Sequence, residues 1–199
     1  VRDEITRDFI HDLTPQASCS VDIIPDPTFS YAIDGTHSEA YLKRKGVRPD
    51  VPIIGLDLPP RLIGVEDAVK YLKSKGYAVA SWRGVSRFAD YDFSDMGPLE
   101  WSGIFKRFDI SLTNRFHASI FSLKNLTPVI TMDYKANRIS RSGQSKAPML
   151  MDSYGLKDTN YKNLADLTDS AWVLIASQQA PHETRIKERQ PSTTKAKRK

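Results

Sequence analysis

Arg115, Phe116 and His117 stand where a short apolar run, Ile110-Ser111-Leu112-Thr113, gives way to a segment of helical period from Ala118 to Leu126. The run, Asp109 to Thr113, reads as a buried strand and the segment after it as a helix. In an open α/β sheet, ligands occupy the crevice beyond the carboxyl ends of the strands. The first N–H groups of the following helix have no carbonyl partner inside it and favour an anion. Arg115 adds a fork-shaped cation matched to phosphate or carboxylate. His117 adds a side chain able to shuttle a proton near neutral pH. Helical spacing turns Phe116 to the opposite side, toward the core. From residue type and spacing alone, two readings stay open: an anion site, or a surface arginine beside a capped core histidine at a strand end.

Other chemistries find less support. None of the ten glycines forms a Gly-x-Gly pair, and no Walker loop is present. The four histidines, His11, His37, His117 and His182, lack paired ligand spacing, so no metal site is expected. Asp90-Tyr91-Asp92 resembles a calcium-loop opening or a D-x-D element, but without the glycine and closing glutamate of a calcium loop it reads as a solvated loop. Cys19 is the single cysteine, which excludes an internal disulfide and suits a reducing compartment. With no basic neighbour to lower its pKa, Cys19 reads as a small buried residue before a strand. Asn125-Leu126-Thr127 is formally a glycosylation sequon, silent without a secretory signal and disfavoured by Pro128.

The elements that must position the trio alternate between apolar runs and helical periods. Val21 to Ile24 reads as a short strand stopped by Pro25-Asp26-Pro27, Asp34-Gly35 as a turn, and Thr36 to Lys45 as a helix with Thr36 as cap. Val51 to Leu58 reads as a strand, Gly64 to Lys75 as a helix ended by Gly76, and Tyr77 to Trp82 as a second strand. Pro98 opens an amphipathic helix. Val129 to Met132 is another buried strand, with helices expected around Met149 to Tyr154 and Leu164 to Ser177. The sum is an α/β chain with a Rossmann-like parallel sheet flanked by helices. The first twenty residues do not fit this order. The expected divisions are 1–20, the remnant of a preceding domain, then 21–180, the Rossmann-like domain, then 181–199, a basic tail.

Hydrophobic residues make up 40% and charged residues 27% of the 199, as in an ordinary globular protein. The net charge of +5 lies wholly in the tail, where seven Lys/Arg from Arg185 to Lys199 face Glu183 and Glu188. A neutral body gives no reason to expect nucleic-acid binding, and the tail reads as a solvated, poorly packed end. No run reaches the roughly 18 apolar residues of a membrane span. Neither a signal peptide nor an initiator methionine opens the chain, so the expectation is a cytoplasmic protein whose start lies upstream of Val1.

Gly97-Pro98-Leu99-Glu100-Trp101, Asp109 to Thr113, Arg115-Phe116-His117-Ala118 and Thr127-Pro128-Val129-Ile130 together resemble the C-terminal domain of the polysaccharide pyruvyl transferase family. Val1 to Thr6 resembles the end of that family's N-terminal domain, and Pro25-Asp26-Pro27-Thr28-Phe29 its crossing into the second domain. Tyr134, Lys146 and Tyr154-Gly155-Leu156 resemble its later elements, although the stretch from Lys135 to Ser145 is longer than the family pattern. The resemblance implies the C-terminal, donor-binding half of a GT-B-like enzyme of two facing Rossmann-like domains, with most of the N-terminal domain missing here. It implies transfer of the pyruvyl group of phosphoenolpyruvate to two hydroxyls of a saccharide acceptor as a cyclic ketal, in exopolysaccharide biosynthesis, with no cofactor. It assigns the donor to Arg115 and His117, extends the site to Phe116, Arg2 and Lys146, and gives His117 the part of proton donor or phosphate ligand. The alternatives are a GT-B glycosyltransferase using a nucleotide-sugar and a non-catalytic module that binds an anionic polymer through the tail.

Overall fold

The structure is a computed structural model that describes residues 4–16, 20–60, 62–82, 86–133 and 146–167. The chain falls into two compact units, one reaching to Ala32 and one beginning at Ile33. The first contains helix α1, Glu4–Leu13, and a short 3-10 turn, Pro27–Ser30, capped by the Asp26 carboxylate, which accepts from the Thr28 N–H at 3.0 Å. The strand expected over Val21 to Ile24 does not form. Ile23 and Ile24 are exposed, and two prolines follow at once, so the run has neither a partner ladder nor a face to bury.

The second unit is built on six parallel strands: β1 Ile53–Asp57, β2 Ala78–Ser81, β3 Tyr91–Asp92, β4 Ile110–Thr113, β5 Val129–Met132 and β6 Asn160–Tyr161. Their order across the sheet is β3-β2-β1-β4-β5-β6. That is the order of a doubly wound Rossmann-like fold, and it confirms the α/β reading. Among the described residues five helices accompany the strands: α2 Gly35–Arg44, α3 Val65–Ser74, α4 Pro98–Ile104, α5 Phe116–Lys124 and α6 Lys146–Ser153. Because helices cover both faces, the central strands are buried along their whole length, the polar Ser111, Thr113 and Thr131 included.

Successive side chains of β1 separate the two halves of the core. Ile54 and Leu56 point to one face, where Val65, Val69 and Leu72 of α3 meet Val79, Ile110, Leu112, Ile130 and Met132. Ile53 points to the other, with Tyr41, Trp82, Phe93, Phe105, Phe108 and Phe121. This second face is aromatic: Trp82 stacks on Phe108 with ring centroids 5.6 Å apart, and Phe105 meets both Trp82 and Trp101 edge-on. Gly55 sits beneath that stack, and a Cβ there would fall on the Phe108 ring. The glycine is what lets an aromatic layer lie directly against the strand.

Several local expectations need correcting. Asp34, not Thr36, caps α2: its carboxylate accepts from the Thr36 N–H at 2.9 Å, so Asp34-Gly35 is a helix start rather than a free turn. Asp90-Tyr91-Asp92 is not a solvated loop. Tyr91 and Asp92 form β3, while the Asp90 carboxylate accepts from the Val79 N–H at 2.8 Å and pairs with Lys73 at 2.8 Å. β6 is two residues long, too short to leave a hydrophobic period in the sequence. The final helix expected from Leu164 begins as a 3-10 turn, Leu164–Asp166, and its remainder from 168 lies outside the described residues.

The α2 helix packs against α4 and is tied to the loop after β3. Lys45 at 2.8 Å and the buried Tyr41 hydroxyl at 2.6 Å share one oxygen of Asp95. Those two donors, Lys45 first, hold the Asp95 carboxyl down at about 2, and burial with the same carboxylate pushes the Tyr41 phenol well above its ordinary range. A depressed folded-state pKa stabilises above the unfolded value and ceases to do so as the pH falls through the folded one. Asp95→Asn should therefore flatten the loss of stability between the ordinary carboxylate value of 3.8 and about 2, read from chemical denaturation at a series of acid pH values. Gly55→Ala should cost about 1–3 kcal/mol of unfolding free energy, because Phe108 must move out of its stack; denaturant unfolding of the variant against the wild type measures this.

Candidate functional site

The sheet grows in one direction from β1 through β2 to β3, and in the other from β4 through β5 to β6. The carboxyl ends of β1 and β4 therefore lie side by side at the point where the winding reverses, with Asp57 in register with Thr113. This is the position at which a doubly wound sheet leaves a crevice. Arg115, Phe116 and His117 come directly after it.

The turn out of β4 is specified bond by bond. The Asn114 N–H donates to the Asp57 carbonyl at 3.3 Å, which carries the ladder one residue past the strand. The Thr113 hydroxyl oxygen accepts the Arg115 N–H at 2.9 Å. Arg115 takes extended backbone angles, φ −104 and ψ 131, as the residue before the helix. Its carbonyl then accepts from the Ser119 N–H at 3.0 Å and the Ser119 hydroxyl at 2.9 Å, closing the first turn of α5. From Ala118 to Leu123 every residue of α5 is buried, so the helix is anchored in the core and only its first turn faces outward.

That first turn has the composition an anion would need. It carries no acidic residue. Arg115 and His117 are exposed. Neither side chain forms an ion pair or hydrogen bond with any described residue. Three N–H groups, those of Phe116, His117 and Ala118, lie at the start of the helix, where the helix itself offers no acceptor. Phe116 departs from the expectation that it faces the core. It is only half-buried, and its ring meets the His117 imidazole edge-on, with centroids 5.5 Å apart and planes at 67°. As the first helical residue it has no preceding turn to pack on, so the ring leans along the surface and holds the imidazole from one side.

The remaining expected site residues are not brought into this turn. Lys146 is the exposed first residue of α6, the helix that packs against α5 and joins β5 to β6. Arg2, Tyr134, Lys135, Arg138 and Arg141 lie outside the described residues. Among the described residues no cluster of three or more His, Cys, Asp or Glu could hold a metal ion, and no helix is long and apolar enough to cross a membrane.

Two residues of the turn escape the sequence reading. Asp57 is only 2% exposed and Thr113 is 0% exposed, and the Thr113 hydroxyl lies 3.3 Å from an Asp57 carboxylate oxygen. The available signal was a single charge ending the otherwise apolar run Ile53-Ile54-Gly55-Leu56-Asp57, a placement that is costly unless the carboxylate is satisfied.

Comparison with curated proteins and with solved structures gave no match. The family model described as polysaccharide pyruvyl transferase matches residues 1–136, a span that holds Asp57, Thr113, Arg115, Phe116 and His117 and ends before Lys146. With more than half of its residues inside that match, and a doubly wound sheet that places an arginine and a histidine at its reversal point, the chain belongs to the polysaccharide pyruvyl transferase family.

Proposed function

We propose that this protein transfers the pyruvyl group of phosphoenolpyruvate to two hydroxyls of a saccharide, forming a cyclic ketal, and that Arg115 and His117 hold the donor. The observation that carries this reading is the exposed arginine and histidine at the first turn of α5, unpaired among the described residues and free of any acidic neighbour on that turn. Phosphoenolpyruvate bears a phosphate and a carboxylate. The Arg115 guanidinium suits either one as a bidentate partner, and the helix N-terminus suits the other. Lys146 and Arg2 are the further cations of this proposal.

The reaction balances without a cofactor. A proton is delivered to the terminal enol carbon, and a sugar hydroxyl adds to the neighbouring carbon. The bond from that carbon to the phosphate oxygen breaks, and the second hydroxyl closes the ring. Of the two hydroxyl protons released, one replaces the proton given to the methyl group and the other leaves with phosphate. His117 serves this sequence as the donor beside the phosphate, where stabilising charge on the departing group lowers the barrier. In this proposal the sheet is one wall of a two-domain cleft, and the facing domain carries most of the acceptor.

Arg115→Ala should lower phosphoenolpyruvate affinity about 10- to 100-fold, the cost of losing a charge-assisted pair. Its melting temperature should stay close to wild type, because the exposed guanidinium supports no described neighbour. Calorimetric titration with phosphoenolpyruvate, paired with a thermal melt, reads both. Wild-type affinity in the variant would sink the assignment, and binding of a nucleotide-sugar in place of phosphoenolpyruvate would make this a glycosyltransferase site instead. Lys146→Ala should weaken binding in the same titration by a smaller factor.

A further inference from the structure

We propose that Thr113, held in turn by Asp57, is a positioning residue that sets the backbone of the Arg115 turn. The inference rests on the reading that this turn binds phosphoenolpyruvate. A threonine hydroxyl has one proton to give and lone pairs to receive with. Here it donates to an Asp57 carboxylate oxygen. With the Asp57 oxygen 3.3 Å away, the hydroxyl proton is directed toward β1, which turns a lone pair toward the Arg115 N–H at 2.9 Å. The Arg115 backbone is thus tied through one side chain to the neighbouring central strand, while the Asn114 N–H is tied to the carbonyl of the same Asp57.

Shape alone does not call for this arrangement. Ile110 and Leu112 of the same strand are buried apolar residues, and a valine would fill the place of Thr113 with nearly the same shape. A carboxylate buried to 2% exposure costs free energy that an apolar residue at the end of β1 would not. What the polar pair adds is a fixed aim. Arg115 keeps its extended angles before the helix, so its side chain leaves the turn in one direction and the N–H groups of Phe116, His117 and Ala118 are left facing outward. Asp57 and Thr113 are both buried, and the bond that leads from Thr113 into the turn is the one to the Arg115 N–H.

Thr113→Val and Thr113→Ser in the full chain separate this role from packing. The valine should raise the KM for phosphoenolpyruvate about three- to tenfold with kcat little changed, the worth of one hydrogen bond. It should also speed hydrogen exchange at the Arg115 amide. The serine keeps the hydroxyl and should restore both. Unchanged KM in the valine variant, or a serine variant as impaired as the valine, overturns the proposal. If the wild type itself fails to bind phosphoenolpyruvate, the reading of the site falls, and the Arg115 amide still decides the positioning role: exchange at the wild-type rate in Thr113→Val overturns it. Asp57→Asn retains an acceptor oxygen and acts through the longer of the two bonds, so it should show the same change to a lesser degree. A larger change than that of Thr113→Val would mean that Asp57 works by another route, and the relay would be wrong.

Discussion

Placing β1 beside β4 forces the chain to leave the two strands in opposite senses. The α3 helix leaves β1 and covers the face lined by Ile54 and Leu56, while α5 leaves β4 and packs on the aromatic face. The two connections diverge above the strand ends, and the carboxyl ends of β1 and β4 are the ones left uncovered by either. The location of the candidate site is a consequence of that pairing, fixed before any particular side chain is considered. The side chains then only need to be right at the first residues after β4, where Arg115 and His117 are found.

The same pairing sets how firmly the site is held. Most of the central sheet is apolar on both faces, and apolar contacts define position without defining direction. Directional bonds enter just where β1 and β4 end, at Asp57, Thr113, Asn114 and Arg115. At the opposite end of the same two strands the Ile53 N–H donates to the Asp109 carboxylate at 2.7 Å, so polar ties bracket the central pair at both ends. Packing supplies the rigid body, and hydrogen bonds register its top edge.

Much of this was readable in advance because the long elements carry strong periods. The strand over Ile110–Thr113, the helix opened by Pro98, and the α3 face of Val65, Val69 and Leu72 all follow from spacing. The order of strands did not follow, since local sequence does not say which strand pairs with which. β3 and β6 were invisible because two residues cannot display a period of two. Phe116 was misplaced because helical geometry was applied to a residue that has no turn before it. Asp57 and Thr113 went unnoticed because they meet only across strands, 56 residues apart in sequence, a relation that no short motif encodes.

The brevity of β3 and β6 has a consequence for the molecule's company. They are the outermost strands of the described sheet, and each presents only two residues of ladder at the rim. A sheet rim recruits other chains in proportion to the length of flat, unpaired backbone it displays. Here the long strands are confined to the middle and the margins taper to almost nothing. Among the described residues, a parallel sheet that could otherwise template its own aggregation therefore ends in borders too short for another strand to grip.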